Sequence, residues 1–214
     1  MKLKTWKDWA LLLFWAFVFG SIFGYVHEMV LHFLKHGFWE SRQGLLFGPF
    51  SQVYGLGAMF FVVTIAQLKD WKAILLTGTF LGGFFEWVCS FAQEKIFGTI
   101  SWDYSDYFMN FGGRTSLFHA VCWGVIGLIF VKLIYPILFD AVKHLASKKG
   151  RILTIALASF LAVDIILTII ASIRQKQRQQ GIEAQTVFGE MIDTCFPDSF
   201  MNWVYPNKQV KERS

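Results

Sequence analysis

Long apolar runs separated by short polar stretches dominate this chain. The hydrocarbon core of a bilayer is ~30 Å thick and takes about 20 apolar residues per helix. The runs predict five such helices, at roughly 9–33, 50–67, 73–97, 116–139 and 152–173. Trp6 and Trp9 mark the start of the first at a membrane interface, and Pro49 suits the first turn of the second. The stretch 98–113 holds Trp102, Asp103, Tyr104, Asp106, Tyr107 and Asn110. It is too polar to span and reads as an interfacial loop. The expected architecture is all-α, a membrane bundle over residues 1–174. A polar, then amphipathic tail over 175–214 follows, part of it lying on the membrane surface through Ile182, Val187, Phe188, Met191 and Ile192.

Composition supports a membrane protein. Of 214 residues, 55% are hydrophobic, 18% aromatic and only 16% charged. A water-soluble domain needs more polar surface than that. The net charge of +5 would fit nucleic acid, but the basic residues sit between apolar segments, where cytoplasmic loops and headgroups favour them, so no nucleic-acid partner is expected. Cys89, Cys122 and Cys195 form neither a disulfide framework nor a metal spacing, and no cofactor, metal or catalytic set is expected. Lys2, Lys4 and Lys7 before an apolar run imitate a signal peptide. The run is too long and lacks a small-x-small cleavage site, so it reads as a retained first helix.

For orientation, an inside N-terminus puts Lys2, Lys4, Lys7, Lys69, Lys72, Lys143, Lys148, Lys149 and Arg151 on the cytoplasmic side. Lys35, Arg42, Lys95 and Arg114 then lie opposite, while Arg174, Lys176 and Arg178 argue the other way. The balance favours an N-terminus inside a bacterial cytoplasmic membrane.

Two stretches read G-x-x-x-G-x-x-x-E: Gly20, Gly24, Glu28 in the first predicted helix and Gly78, Gly82, Glu86 in the third. Each is followed by an arginine that opens the next helix, Arg42 or Arg114, and then by an aromatic–Gly pair, Tyr54-Gly55 or Trp123-Gly124. The pattern predicts one hairpin used twice, with the last helix appended. Residues at i, i+4 and i+8 share a helix face, so the glycines admit a close neighbour and the glutamates point into the same contact. A charge at the bilayer centre costs at least ~2.5–3.5 kcal/mol on insertion scales. Arg42 and Arg114 are therefore the expected partners of the glutamates.

These blocks resemble a known family. Arg42-Gln-Gly-Leu-Leu-Phe-Gly-Pro-Phe-Ser-Gln-Val-Tyr-Gly-Leu-Gly looks like its R-G-x-x-x-G-P-x-x-x-x-Y-G-x-G block with one residue inserted. Glu86-Trp, Glu94-Lys-Ile-Phe-Gly, Trp102-Asp-Tyr-Ser, Gly113-Arg114 and Trp123-Gly124 resemble its second block. The family is that named Putative ABC-transporter type IV, or ABC transporter permease, and the resemblance covers roughly residues 15–140. It implies a permease with a partner ATPase. The chain has no G-x-x-x-x-G-K-[ST] loop, so that ATPase would be a separate subunit, beside the bilayer itself and further copies of the chain as partners.

Each candidate has two readings. Glu28 and Glu86 are either ion- or proton-responsive groups of a pathway, or halves of Glu–Arg clasps that fix helix packing. His27 and His32 flank Glu28 but are five apart, about 140° round a helix, which excludes a zinc-protease pair; Glu28, His32 and His36 do align, as a relay or as interfacial hydrogen-bonders. Trp102, Asp103 and Tyr104 form either an entrance lid or a capped interfacial turn. His119 extends the polar cluster or packs. Asp164 in the last helix must face the bundle or another copy, and Lys132 snorkels. The leading expectation is a transporter-type, permease-like component of unknown substrate. The alternatives are a membrane scaffold, assembly factor or regulator, and a membrane-embedded enzyme acting on lipid.

Overall fold

A computed structural model describes residues 5–210. Lys2 and Lys4, used above for orientation, lie outside the described residues. The order is α1 (Trp6–His36), α2 (Gln52–Thr64), α3 (Trp71–Phe97), β1 (Thr99–Ile100), α4 (Leu117–Ile129), a π turn (Phe130–Ile134), α5 (Tyr135–Leu145), α6 (Lys148–Gln179), α7 (Val187–Cys195), α8 (Asp198–Val204) and β2 (Gln209–Val210). The chain is an all-helical integral membrane protein. Among the described residues, four helices are long and apolar enough to cross a bilayer: Trp6–His36, Trp71–Phe97, Leu117–Leu145 and Lys148–Gln179. Their outward residues are large and apolar, as at Leu34, Phe80, Ile137 and Ile155, the reverse of a soluble helix.

The second predicted helix, 50–67, is the element that differs most. It has 13 residues, about 20 Å of helix, and is shorter than a bilayer core. The Ser51 amide donates to the carbonyl of Ser21 at 3.1 Å, so α2 starts beside the middle of α1, whereas α1 itself continues to His36. Residues 37–51 therefore descend roughly 22 Å along α1, taking 15 residues (21 to 36) at 1.5 Å each. The same happens at α4. Thr115, just before its N-cap Ser116, reaches Glu86, 11 residues below the end of α3 (86 to 97), so 98–116 also descends.

Non-helical backbone at that depth survives only when its polar groups are satisfied. In the first dip, the Gly44 amide bonds to the carbonyl of Phe50 (2.7 Å), and Gln52 Nε2 donates to the carbonyl of Gly44 (2.7 Å). Two further amides are taken by α6: Leu46 N–H donates to Thr168 Oγ1 (3.0 Å) and Phe47 N–H to Asp164 Oδ1 (3.2 Å). Asp164 and Thr168 are one turn apart on one face, which is what makes this docking edge. Gly48, at φ +79°, completes the turn before Pro49.

The fourth predicted helix, 116–139, runs on to Leu145 through the π turn. The fifth, 152–173, extends at both ends to Lys148–Gln179. Its polar end stays helical because the tail folds back onto it. Arg174 pairs with Asp193 (Nη2–Oδ2 2.5 Å), Arg178 pairs with Asp193 and with Asp198 (2.6 Å), and Gln175 Nε2 donates to Asn202 (3.0 Å). Ile192, Phe196 and Met201 form a second small core with Leu46 and Ala171. The tail also reaches both dips: Tyr205 donates to the Gly44 carbonyl (3.4 Å), Asn207 to the Ser101 carbonyl (3.4 Å), and β2 pairs antiparallel with β1. The inner faces of α7 and α8 thus cover protein, leaving Val187, Phe188, Met191 and Trp203 exposed outward.

Candidate functional site

The closest helix contacts are within two pairs, α1 with α2 and α3 with α4, and glycines allow both. A Cβ at Gly20 would stand 2.6 Å from Ala58 Cβ and 2.9 Å from the Tyr54 carbonyl, and one at Gly24 would overlap the Tyr54 ring. A Cβ at Gly78 would meet Gly124 Cα at 3.2 Å, and one at Gly82 would overlap Trp123. In return, Gly55 faces Ser21 and the Phe17 carbonyl, and Gly124 faces Thr79 and the Leu75 carbonyl. All six helix-packing candidates are therefore packed inside the chain.

This seating places each glutamate one turn beyond an aromatic side chain. Glu86 is buried, 6% exposed, and is richly held. Thr115 Oγ1 donates to Oε2 at 2.8 Å and the Tyr104 hydroxyl to Oε1 at 3.3 Å, while the Trp123 indole N–H also faces the carboxylate. The first turn of α4 adds the positive end of a helix dipole. Glu28 differs. It lies close enough to Glu86 and Arg42 to interact electrostatically with both, yet among the described residues no hydrogen-bond donor or ion-pair partner engages its carboxylate.

The arginines expected to serve the glutamates are engaged elsewhere. Arg42 pairs with Glu40 at 2.7 Å, and Arg114 with Glu94 at 2.6 Å, with a longer contact to Ser90 (3.5 Å). Both glutamates that capture them sit nearer the loops, where a flexible guanidinium loses less hydration. The Arg114 guanidinium also lies over the rings of Trp87 and Phe91, 5.9 and 5.4 Å from their centroids. The expected Glu28–Arg42 and Glu86–Arg114 clasps are thus replaced by Glu40–Arg42 and Glu94–Arg114.

The other candidates separate into those that approach the glutamates and those that do not. Tyr104 approaches, carried down by its loop, and its ring stacks on His119 with centroids 3.5 Å apart. His119 accepts or donates at Ser116 Oγ (2.8 Å). Trp102 donates to the Arg114 carbonyl (2.9 Å), and Asp103 caps Ser105, so these two build the loop. His32 is turned away, toward the Phe38 carbonyl (3.2 Å) and Glu40 (3.4 Å), and no relay continues from Glu28 through it. Asp164 holds the first dip, leaving Oδ2 buried without a partner. Thr115, Glu40 and Thr168 are not among the sequence candidates, and Glu94 enters there only as part of the second block, not as a partner of Arg114. The one available signal was Asp164-x-x-x-Thr168, a polar pair on one face of an apolar helix.

Beside this cluster lies a small apolar cleft of about 60 Å³ between α1, α2, α4, the π turn and α5. Ala16 and Gly20 line it from α1, with Tyr54 and Trp123 also in its wall.

Residues 15–169 match the family described as Putative ABC-transporter type IV. The chain belongs to this family. The match runs from within α1 through α5 and most of α6, including both glycine faces, both dips and Asp164. No curated protein and no solved structure matches the chain.

Proposed function

We propose that this family member is the membrane component of a transporter, and that Glu28 and Glu86 are the ion-responsive point of a pathway between the hairpins α1–α2 and α3–α4. One observation carries the reading: Glu28 has no donor, although it sits within electrostatic reach of a second carboxylate. Both nearby arginines are already neutralised by Glu40 and Glu94. Two neighbouring carboxylates, one of them without a hydrogen-bond donor among the described residues and reached only at a distance by an arginine already paired, are costly inside a membrane, so the pair takes up a proton or another cation. A group whose charge must change with occupancy is what a coupled pathway needs.

The two hairpins are read as copies of one unit. Gly20/Gly24 against Tyr54-Gly55 and Gly78/Gly82 against Trp123-Gly124 support this, as do Ser21 and Thr79, 58 positions apart, facing Gly55 and Gly124. Transporters with such repeats carry their sites at the repeat interface, often at the start of helices that begin within the membrane. In this reading the N-terminus is inside the bacterial cytoplasmic membrane, and any ATPase is a separate subunit. A scaffold that recruits other helices through the glycine faces is less favoured, because those faces are consumed by α2 and α4.

The test is ion flux in liposomes holding the full chain, alone and with co-purifying subunits, read by an internal pH dye under an imposed gradient. Proton movement that falls at least tenfold in Glu28→Gln and Glu86→Gln is expected. Movement independent of both residues, or none at all, rejects the pathway.

A further inference from the structure

We propose that the C-terminal tail, 182–208, is a re-entrant element whose uncovered apolar face docks on the lipids of one leaflet. The inference does not depend on the pathway reading. The depth of the tail comes from the helix it follows. Asp164, Thr168, Ala171, Gln175 and Arg178 share one face of α6. The tail runs back along that face. The Ile182 amide donates to the Gln177 carbonyl (2.9 Å), and Asp193 pairs with Arg174 and Arg178. Phe196 and Met201 then cluster with Ala171, and the Tyr205 hydroxyl faces Thr168. From Gln177 to Thr168 is about 14 Å of helix. The apolar stretch of α6 ends near Ile173, so the tail starts among headgroups and ends inside the hydrocarbon. Its ion pairs neutralise Arg174 and Arg178 at that border, where an unpaired charge is costly.

At this depth the opposite side of α6 turns Ile166, Ile169 and Ile173 outward. Lipid therefore surrounds the level, and the outer side of the tail meets it. The α7 helix is built for that position, with three arcs rather than two. Val187, Met191, Cys195 and Phe188 fall within about 100° of one another and are exposed. Ile192 and Gly189 come next round the helix and are buried. Asp193, Glu190 and Thr194 complete the turn. A helix between protein and water needs only a buried arc and a polar one. The added apolar arc fits a helix with protein on one side, lipid on the second and headgroups or water on the third. Val187 is 83% exposed and Trp203, in α8, is 70% exposed. An interfacial tryptophan at that point has the usual place of one in a membrane protein. The seat also meets a need of the fold. The non-helical backbone of the first dip must not face lipid, and Leu46 is covered by the cluster with Ile192, Phe196 and Met201.

The experiment is spin-label accessibility in the full chain, in phosphatidylcholine liposomes, with the native cysteines replaced by serine. Labels are placed in Val187→Cys, Met191→Cys and Trp203→Cys, in Glu190→Cys and Thr194→Cys, and in Ile155→Cys on the outward face of α6 as the lipid reference. Oxygen concentrates in the bilayer, whereas a neutral nickel chelate stays in water. The oxygen-to-nickel ratio at the first three positions should exceed that at Glu190→Cys and Thr194→Cys by about threefold or more, and approach that of Ile155→Cys. Equal ratios in the two groups put the face in water and overturn the proposal. Labels at the first three positions that are shielded from both reagents put a second protein on the face and overturn it as well. The unlabelled chain gives an independent check should a label displace the tail. Phosphatidylcholine brominated on its acyl chains should quench the emission that the wild type has and Trp203→Phe lacks. Quenching of that emission by aqueous iodide, with no effect of bromine, overturns the proposal.

Discussion

Thr115 and Tyr104 donate to Glu86 and the Trp123 indole faces it, whereas no described residue donates to Glu28, although both occupy the same position in their glycine stretches. The difference predicts opposite responses to the same substitution. Glu86→Leu strands the buried Thr115 hydroxyl and frees Tyr104, and should lower stability by about 1–3 kcal/mol. Glu28→Leu removes a carboxylate to which no described residue donates a hydrogen bond, and should be neutral or stabilising. Thermal unfolding of both variants in detergent distinguishes them; equal losses would mean Glu28 has a partner after all. A second contrast concerns glycine. Gly82→Ala drives a Cβ into Trp123, while Gly112→Ala meets no atom within 4 Å and bears only the strain of φ +62°. The first should cost more than the second, which is about 1 kcal/mol. The glycine faces were readable from spacing alone, since i, i+4, i+8 needs only helix geometry. The arginine partners were not. Spacing brings Arg42 near Glu28, but it does not reveal that Glu40, two residues away, competes for the same guanidinium.

At the scale of elements, the long helices followed from the apolar runs, with α3 starting at Trp71 against an expected start near 73. The two dips did not. Residues 50–67 read as an apolar helix after Pro49, and nothing local reveals the dip before it, whose amides are taken by α6, more than a hundred residues later. Asp164 therefore belongs to fold rather than pathway. Asp164→Ala should speed amide exchange at Leu46 and Phe47 without abolishing the bundle, and Asp164→Asn, which keeps an acceptor, should restore protection; exchange read by mass spectrometry checks this. The tail was hidden for the same reason, since Arg174–Asp193 has no signature in spacing. Arg174 and Arg178 hold the Asp193 carboxyl below the usual carboxylate range. A lowered carboxylate pKa contributes stability above its unfolded value, about 3.9, and loses it as pH falls through the lowered one. Lys208 runs the other way. Burial lowers its ammonium to about 8, so the folded tail binds fewer protons than the unfolded one between about 8 and 10.4, and docking strengthens as pH rises across that window. Protease protection of the tail should thus fall in acid and rise from neutral to mildly alkaline pH. Lys208→Met should remove the alkaline rise.

Across the whole molecule, the bundle has two unlike ends. One holds the start of α1, the 65–70 turn and the α5–α6 turn, where Lys132 donates to the Lys69 carbonyl. The other holds both dips and the folded tail. Arg174 and Arg178, which weigh against an inside N-terminus when counted in the sequence, lie at this second end paired with Asp193 and Asp198. In the proposed pathway Glu28 is reachable from one side of the membrane, whereas Thr115 and Tyr104 hold Glu86. The direct measurement is labelling of cysteines placed at the two positions, in a background with Cys89, Cys122 and Cys195 replaced by serine. A membrane-impermeant thiol reagent is added to intact liposomes in each orientation. Labelling of Glu28→Cys from one side, with Glu86→Cys at least tenfold slower, is the predicted result. Equal labelling of the two positions, or none at Glu28→Cys from either side, would contradict it.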